Sequence, residues 1–524
     1  MKNLLRFLFV LSLASGTNTL QAQKFSLAWS DNTKLKYDFD DAVQLDNGNF
    51  IVLKSTYGSG MFGQAKPARI SLILVSKSME EIKESPLEID AERFIPMGFQ
   101  KFGKNIFFLY QLYDKEVKQT SVNALRINEK SLGTDAQIAL GSFESDNRGD
   151  QAEPSFKISE DSSKVLLFVA PPFRKKENEK FFLGVFDNNL KNLWKREVEL
   201  DVNQKFVGIY DQDLTNDGKV YVAAKFYDNE VTRESVKEDG EKVPSYTYKM
   251  LVYESAKSKI KDIVFNLDNN YVQGTKLTYN KRGNITVAGL YKTKFSGRIT
   301  GAFYAEIDPK TSTVSKPKLV PFTDEFLAQV DVDNFASVKG NNPGLYNGFR
   351  ITHILNRDNG SVDLVSEYYR LVITTNNNGR TITTTYTYYY GDIVNTNISE
   401  NGNAIFTRIP KNQIQVNSTL FVGFYPIVYK DKLVLLYNDD KDNVERDLAK
   451  KPDDVRNFKR SIFMATTVDA KGNLSRQQVY SHLEEDYITI PRTIRRITNS
   501  EYLVTSDLLK LFKRRIRFGV MKLK

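Results

Sequence analysis

The sequence predicts an all-β protein built from one repeated unit of antiparallel strands. Three observations favour this class. Polar turns recur along the whole chain, a short apolar strand follows each turn directly, and each unit contains further strands rich in β-branched and aromatic residues. Recurrence at a roughly constant spacing is typical of an architecture that repeats one supersecondary unit.

Eight such turns are present, and successive turns begin about 55 to 77 residues apart. The turns combine Asn, Asp, Gly, Lys and Ser, which are the residues that tight turns favour. Each leads at once into an apolar run, as 46–49 leads into 50–53. The remaining turns are at 103–105, 161–164, 216–219, 281–284, 358–360, 430–432 and 499–501.

Each unit continues with another strand, such as 70–75, 249–253 or 462–466. Several of these strands run into a second turn and then into a closing strand, as 187–189 runs into 193–198. Asn-Gly and Asp-Gly turns suit tight hairpins because they tolerate positive φ. One unit is therefore four antiparallel strands joined by hairpins.

This unit resembles a blade of the β-propeller superfamily, and the resemblance covers nearly all of residues 23–524. It implies one domain of about eight four-stranded blades, with seven as the alternative if one unit is an elaboration. The signatures of the named propeller subfamilies are missing, among them a Trp-Asp strand ending and a Gly-Gly kelch pair. No subfamily's active residues are therefore carried over to this chain.

The two ends of the chain predict that the ring closes. The last unit has strands at 493–497, 501–506 and 515–522 and stops one strand short. Residues 25–29 form an orphan strand before the first complete unit. Pairing this strand into the last blade would close the ring and leave no open sheet edge.

Four segments interrupt the regular units. Residues 227–246 form a charged excursion that predicts an exposed hairpin, and 374–385 contains an Asn-Gly hairpin tip. Residues 323–338 predict a short helix with Thr323 as its N-cap. The densely charged segment 438–460 predicts a mobile loop or a frayed helix. Loops of this kind carry function while the scaffold holds them in place.

The first residues predict an export signal. Lys2 and Arg6 precede the apolar run 7–13, and 20–22 offers a cleavage site after Ala22. The mature chain is then 23–524, with no membrane span. The composition and the signal ending resemble those of exported proteins from Bacteroidetes-type bacteria. We therefore expect a monomer in the periplasm, at the cell surface or outside the cell.

Composition narrows the chemistry. The formal net charge of +10 is a mild excess for this length and favours a solvated basic surface over an anion-binding face. The exported address argues against nucleic acid as a partner. No cysteine is present, so cysteine chemistry and disulfides are excluded, and the protein must be held by its core.

Candidate catalytic and metal residues are few. The two histidines fall in different units, His353 in an apolar strand and His482 in a turn, so neither a zinc set nor a Ser-His-Asp triad is indicated. No cofactor motif is present, and we expect no cofactor. The acidic turn at 211–217 has the wrong spacing for a calcium loop and no closing Glu, and the one at 438–443 has no glycine turn, so ordinary turn residues are favoured over calcium ligands. Carboxylate pairs facing a central channel remain open, as in glycosidases.

Two surface candidates remain. Tyr386, Tyr388 and Tyr390 alternate on one strand and predict an aromatic row that either packs within the blade or binds a partner. Arg514 and Arg515 lie in a basic cluster before the last strand and indicate either a solvated tip or a docking site.

We expect a non-enzymatic exported propeller that binds a protein or glycan of the cell envelope. The alternative is a carbohydrate-active enzyme or glycan-binding propeller that uses channel carboxylates. The sequence leaves open the identity of the partner, the location within the envelope, catalysis in the channel, calcium binding and the blade count.

Overall fold

The computed structural model of the protein describes residues 24–29, 39–59, 65–78, 80–89, 94–147, 152, 154–172, 174, 176–228, 233–238, 240–338, 342–510 and 513–524. These residues form an all-β structure with two short α-helices and four 3-10 helices. Its main components are eight antiparallel sheets of four or five strands, which we number in chain order.

Strand β1 (Phe25–Trp29) belongs to the eighth sheet. The strands of the first sheet are β2 (Phe39–Gln44), β3 (Phe50–Ser59), β4 (Ala65–Val75) and β5 (Glu81–Pro86). Those of the second sheet are β6 (Phe94–Phe102), β7 (Asn105–Asp114), β8 (Gln119–Arg126) and β9 (Ile138–Glu144). Those of the third sheet are β10 (Ser155–Ile158), β11 (Lys164–Val169), β12 (Asn178–Asp187) and β13 (Asn192–Asn203).

The fourth sheet contains β14 (Val207–Leu214), β15 (Val220–Tyr227), β18 (Tyr246–Tyr253) and β19 (Lys261–Phe265), and a separate hairpin of β16 (Ser235–Glu238) and β17 (Glu241–Pro244) interrupts it. The fifth sheet contains β20 (Tyr271–Tyr279), β21 (Ile285–Lys292), β22 (Gly301–Asp308), β23 (Thr313–Val314) and β24 (Lys318–Pro321). Helix α1 (Asp324–Asp331) and the pair β25 (Ala336–Ser337) and β26 (Gly344–Leu345) follow.

The sixth sheet contains β27 (Phe349–Asn356), β28 (Val362–Asn377), β29 (Ile382–Ile398), β30 (Ala404–Ile409) and β31 (Gln413–Val416). The seventh contains β32 (Phe424–Tyr429), β33 (Lys432–Asp439), β34 (Ile462–Val468) and β35 (Leu474–Ser481), and helix α2 (His482–Glu485) follows. The eighth contains β36 (Ile488–Thr489), β37 (Arg495–Arg496), β38 (Glu501–Lys510), β39 (Lys513–Leu523) and β1. The 3-10 helices are Gln204–Phe206, Lys441–Asn443, Phe458–Arg460 and Pro491–Thr493.

The predicted turns are confirmed, because each of the eight joins the first and second strands of a sheet. Their chemistry explains this agreement. Gly218 and Gly283 sit in these turns at φ +91° and +87°, a left-handed conformation that a side chain disfavours. In the last unit the predicted strand 493–497 is wrong in extent. A 3-10 turn at Pro491–Thr493 leaves only Arg495–Arg496 as strand β37.

Eight buried apolar clusters lie between the sheets. Seven of them join sheets that follow each other in the chain, from the first and second to the seventh and eighth. The remaining cluster of this kind joins the eighth sheet to the first. In it Phe50, Val52 and Ile73 pack with Leu503 and Phe518. Every sheet is therefore buried on both faces.

The N-terminal strand pairs where the sequence predicts. Strand β1 runs antiparallel to β39, from Phe25 opposite Leu523 to Trp29 opposite Gly519. The outermost strand of the last sheet is therefore β1, from the beginning of the chain. On its other edge β39 pairs with β38.

Two of the predicted elaborations are also confirmed, although the helix ends at Asp331 and the rest of the predicted range 323–338 contains strand β25. Helix α1 begins after Thr323, whose hydroxyl accepts the backbone N–H of Phe326 at 3.2 Å. Its buried face, Phe326, Leu327 and Val330, packs in the cluster between the fifth and sixth sheets. The hairpin of β16 and β17 accounts for the charged excursion after β15.

Candidate binding surface

The two ends of the sheets differ. Antiparallel pairing places the turns between strands one and two, and between three and four, at one end, which we call the turn end. The connections between strands two and three and between successive sheets lie at the other, the connection end. All the longer insertions are at the connection end. They are the hairpin of β16 and β17, the segment with α1, the extension of β28 and β29, and residues 440–461.

At the turn end, neighbouring turns are hydrogen-bonded to each other. Lys101 Nζ donates to Asp46 Oδ1 at 2.6 Å, which joins the second sheet to the first. Asn105 Nδ2 donates to the carbonyl of Asn188 at 3.1 Å, which joins the second sheet to the third. Further bonds of this kind join Lys219 to Pro309 and Asn359 to Asp431. Much of the polar surface at this end is satisfied internally.

The most prominent feature of the connection end is the hairpin of β28 and β29. These strands have 16 and 17 residues, about twice the length of β27, which has 8. The outer part, Arg370–Asn377 paired with Ile382–Tyr389, therefore extends beyond β27 as a ribbon. Strand β31 pairs with the base of this ribbon at Thr387–Tyr389, and the part from Ile373 and Tyr386 to the tip is two-stranded. Its tip is a tight turn in which Asn378 Oδ1 accepts the backbone N–H of Thr381 at 2.8 Å. The predicted hairpin tip is confirmed.

One face of this ribbon carries an exposed apolar row. Leu371 lies opposite Tyr388 and Ile373 lies opposite Tyr386, and residues opposite each other share a face. The exposed fractions are 37% for Leu371, 57% for Ile373, 70% for Ile382 and 41% for Tyr386. We call these four residues the apolar row. Because neighbouring apolar side chains on a protruding ribbon are costly to hydrate, they favour a binding role.

The base of the same face is buried and fixed. Tyr390 is 7% exposed and packs edge-on against Tyr369 with ring centroids 5.2 Å apart. The guanidinium of Arg492 lies 4.8 Å from the Tyr390 ring. Tyr369, Tyr388 and Tyr390 all contact a cluster that includes Phe421. The ribbon therefore rises from a packed aromatic base.

A buried ionic network anchors β29 and β30 from behind. Arg408 donates to Asp392 at 2.6 Å and to Asp333, which follows α1, at 2.5 Å. Its third nitrogen reaches the carbonyl of Leu448 at 2.8 Å. Burial raises the pKa of Asp392, the charge of Asp333 adds to this, and Arg408 opposes it. The network ties two connections, the one that follows α1 and the one between β33 and β34, to the sheet that carries the hairpin.

The charged segment between β33 and β34 is mainly a loop, one of the two forms predicted for it, but buried residues anchor its beginning. A mobile loop or frayed helix was expected over 438–460, but Asn438, Asp439 and Asn443 are fully buried. Asn443 donates to Asp439 at 2.8 Å and exchanges two hydrogen bonds with the backbone of Asp453. Buried amide side chains hold backbone groups that no strand satisfies, so the loop is anchored at Asn443 although much of its charged surface is exposed.

The carboxylates of the first strands are engaged. Asp41 accepts the backbone N–H of Phe99 at 2.6 Å and pairs with Arg495. Asp211 accepts the N–H of Leu277 at 2.9 Å and also contacts Lys276 at 3.3 Å. Each of these two carboxylates joins neighbouring sheets. Asp213, also on β14, accepts the N–H of Tyr279 at 2.7 Å, and burial raises its pKa to about 6. The structure adds no support for calcium binding at 211–217 or 438–443. In the described residues, no group of three His, Asp or Glu side chains is placed to hold a metal.

The two histidines have structural surroundings. His353 lies on β27 against Phe424, and burial, together with the charges of Lys276 and Lys157, lowers its pKa to about 4. His482 is 1% exposed, and its Nδ1 lies 2.9 Å from Ser461 Oγ. This Ser–His pair is not a catalytic site, because it is buried and its Nε2 accepts the backbone N–H of Thr489.

The predicted partner-binding residues fall at the connection end but are not equivalent. Tyr386 is exposed, Tyr388 is half-buried, and Tyr390 is buried and therefore belongs to the support of the ribbon. Arg514 and Arg515 follow the first residue of β39 and lie opposite Leu509 and Leu508. Their side chains lie outside the described residues, as does Ala22. Their role in binding stays a prediction.

Sequence reasoning missed Leu371, Ile373 and Ile382. The available signal was length, since two adjoining runs of 16 and 17 residues without a turn exceed what a blade of this size needs. Both runs are also free of acidic residues from Tyr368 to Gly391.

No family model matches the chain, and no curated protein matches it. Among solved structures it is similar to a protein of unknown function from Dyadobacter fermentans, with 11% identity, a TM-score of 0.33, and coverage of 72% of this chain and 96% of that one. It is also similar to the WD40 domain of SCAP from fission yeast (7%, 0.35, 96% and 94%) and to an ulvan lyase (9%, 0.37, 80% and 90%). Likenesses at this level say nothing of what this chain binds or catalyses.

Proposed function

We propose that the eight sheets are the blades of one closed β-propeller, with β1 completing the last blade. The support is internal to the chain. Each pair of successive sheets shares a buried apolar cluster, and a further cluster joins the eighth sheet to the first. Strand β39 pairs with β38 along one edge and with β1 along the other, so β1 covers the edge of β39 that would otherwise be open.

On this scaffold we propose a non-enzymatic protein that binds a macromolecular partner of the cell envelope through its connection end. The observation that carries the proposal is the apolar row of Leu371, Ile373, Ile382 and Tyr386 on a ribbon with a packed base. A rigid element that exposes neighbouring apolar side chains lowers the entropic cost of binding a second surface.

The envelope location is part of the proposal. It is supported by the signal-like residues 1–22 and by the absence of cysteine. In the part of the chain described here, no helix has the length and apolarity needed to cross a membrane. N-terminal sequencing of the exported protein tests the address, and Gln23 is the expected first residue.

The carbohydrate-active alternative is less well supported. It needs two carboxylates free to act on a sugar in the central channel. Asp41 and Asp211, on first strands, instead accept backbone N–H groups and pair with Arg495 and Lys276.

Affinity capture tests the proposed binding. The tagged mature chain is incubated with envelope extract, and the bound proteins are quantified by mass spectrometry. A double variant, Leu371→Ser with Ile373→Ser, removes two members of the apolar row. The control is Ile158→Ser with Ile405→Ser, which changes two residues that are 45% and 41% exposed at the turn end.

We expect a partner that both the wild type and the control retain and that the ribbon variant loses by at least tenfold. The proposal is wrong if the ribbon variant retains every protein that the wild type captures. It is also wrong if the turn-end control loses the same proteins.

A further inference from the structure

The backbone of β28 has an open edge along the ribbon. On the side of β27, pairing ends with Phe349 opposite Tyr368 and a last hydrogen bond from Tyr369 N–H to the carbonyl of Gly348. Beyond this point, in the part of the chain that the structure describes, no strand pairs with that side of β28.

The register shows which backbone groups face this edge. The carbonyl of Tyr386 on β29 accepts the backbone N–H of Asn417, and the N–H of Tyr386 donates to Asn417 Oδ1. The backbone groups of Tyr386 therefore point away from β28. In an antiparallel pair, the opposite residue then also points outward, so the N–H and C=O of Ile373 face the open edge. Backbone groups of every second residue in a strand point to the same side, so the N–H and C=O of Leu371 and Thr375 also face the open edge.

The edge lacks the usual protection against pairing. Natural edge strands are blunted by proline, lysine, bulges or covering loops. The stretch 371–377 is Leu-Val-Ile-Thr-Thr-Asn-Asn, which has no charge, no proline and mainly β-formers. Its register with β29 is unbroken over these residues. Two of the outward-facing residues, Leu371 and Ile373, belong to the apolar row.

The charge of the ribbon indicates what kind of strand fits. Between Tyr368 and Gly391 the chain has two arginines, Arg370 and Arg380, and no acidic residue. Arg350 and Arg492 lie against the aromatic base, 4.1 Å from the Tyr369 ring and 4.8 Å from the Tyr390 ring. A second copy of this chain would bring the same positive charge to the contact. A segment with acidic residues would complement it.

We propose that the open edge of β28 binds an extended, acidic segment of a partner protein as an additional β-strand. Main-chain hydrogen bonds to Leu371, Ile373 and Thr375 supply affinity, and alternate apolar residues of the segment lie on the apolar row. This inference rests on the proposed function and specifies the form in which the partner docks.

The test uses random 12-residue peptides displayed on phage, selected against the wild-type mature chain. The first variant is Ile373→Pro, which removes an outward N–H without breaking a bond inside the hairpin, since proline is tolerated on an edge. The second, Ile373→Ala, keeps the N–H and removes the apolar side chain. Ile405→Ala at the turn end is the matched control. Thermal unfolding of each variant verifies that the fold is intact.

We expect selected peptides to be acidic and to alternate apolar residues. Their affinity should fall at least tenfold in Ile373→Pro, fall less in Ile373→Ala, and stay within twofold of wild type in Ile405→Ala. Hydrogen exchange read by mass spectrometry provides a second measurement. The amides of Leu371, Ile373 and Thr375 should exchange quickly in the free protein and at least tenfold more slowly with peptide bound.

Three outcomes overturn strand addition. One is peptide affinity within twofold of wild type in Ile373→Pro, and another is protection elsewhere with none at 371–375. The third is self-association that protects the same amides without any peptide, which would make a second copy the occupant. If capture depends on the apolar row while these amides stay unprotected, partner binding stands and only the strand pairing fails.

Discussion

His482 illustrates how a single residue makes the stability of this protein depend on pH. The ring is buried at the start of α2, and its Nδ1 lies 3.1 Å from the carbonyl of Phe458. Nε2 accepts the backbone N–H of Thr489, so the hydrogen bonds suit the neutral ring. Burial, helped by the charge of Arg517 and opposed by the hydrogen bond to the Phe458 carbonyl, lowers the pKa of His482 to about 3.

The sign of the pH effect follows. In the unfolded chain a histidine titrates near its ordinary pKa of about 6.5, so below that pH the unfolded state binds a proton that the folded state refuses. The stability that neutral His482 provides is present above pH 6.5 and is lost as the pH falls from 6.5 toward 3. At most about 5 kcal/mol is involved at the acid limit.

The prediction compares wild type with His482→Gln by urea unfolding between pH 4 and pH 7.5. Wild type should be the more stable at pH 7.5, and the difference in unfolding free energy should shrink by at least 1 kcal/mol toward pH 4. Taking the difference cancels the other groups that titrate, including Asp439, whose pKa burial raises to about 7. A difference that is independent of pH would contradict this account.

At the scale of elements, the connection end is held together by buried polar contacts as well as by apolar packing. Arg408 on β30 joins Asp392 on β29 to Asp333 after α1, and all three side chains are almost fully buried. Removing one partner of a buried ion pair leaves an uncompensated charge. Such contacts fix where the long connections lie relative to the ribbon.

We predict that Arg408→Met destabilises the protein by about 3 to 5 kcal/mol, because it leaves two buried carboxyl groups facing each other. The exposed pair of Arg456 and Asp454 provides the comparison, and Arg456→Met should cost less than about 1 kcal/mol. Chemical denaturation at pH 7.5 measures both. A triple variant with Asp333→Asn and Asp392→Asn should recover part of the loss, and equal costs for the two single variants would contradict the prediction.

The repeated strands were predictable from the sequence because their signals are local. A turn such as 281–284 needs only its own residues to adopt positive φ at Gly283, and the apolar run beginning at Ile285 follows directly. The cap of α1 is equally local, since Thr323 bonds to Phe326 three residues away. The pairing of β1 with β39 was predictable because an orphan strand at one end of the chain matches a missing strand in the last unit.

The polar interior was not predictable, because its partners are distant in sequence. Asp41 bonds to Arg495, 454 residues away, and Asp333 to Arg408, 75 residues away. Asn443 looks like a solvated residue in a charged run, and only the fold reveals that it is buried. The candidate surface was found in part. Alternation identified the tyrosines, but which end of the row is exposed depends on the segment that packs against Tyr390.

At the scale of the whole molecule, the pairing of β1 with β39 decides whether the eighth sheet holds the two ends of the chain together. Leu523 donates its N–H to the carbonyl of Ser500 on the β38 side, and Lys524 donates to Lys24 on the β1 side. Phe25 and Leu523 are therefore a non-hydrogen-bonded pair, and by alternation so are Leu27 and Met521. Side chains at such pairs are close enough for a disulfide.

A disulfide at this pair tests closure directly. The chain has no cysteine, so the double variant Leu27→Cys with Met521→Cys can form only the intended bridge within one molecule. The bridge closes a loop of nearly the whole chain. Because it restricts the unfolded chain, it should raise the free energy of unfolding by about 2 to 4 kcal/mol. The same protein with and without reductant is its own control, since the smaller side chains at 27 and 521 affect both forms equally.

We expect the bridge to form in air without denaturant, and to raise both the melting temperature and the urea midpoint. If the two cysteines remain reduced in the folded protein, or if the bridge lowers its stability, the ends of the chain do not meet as proposed, and the closed ring that positions the ribbon is wrong.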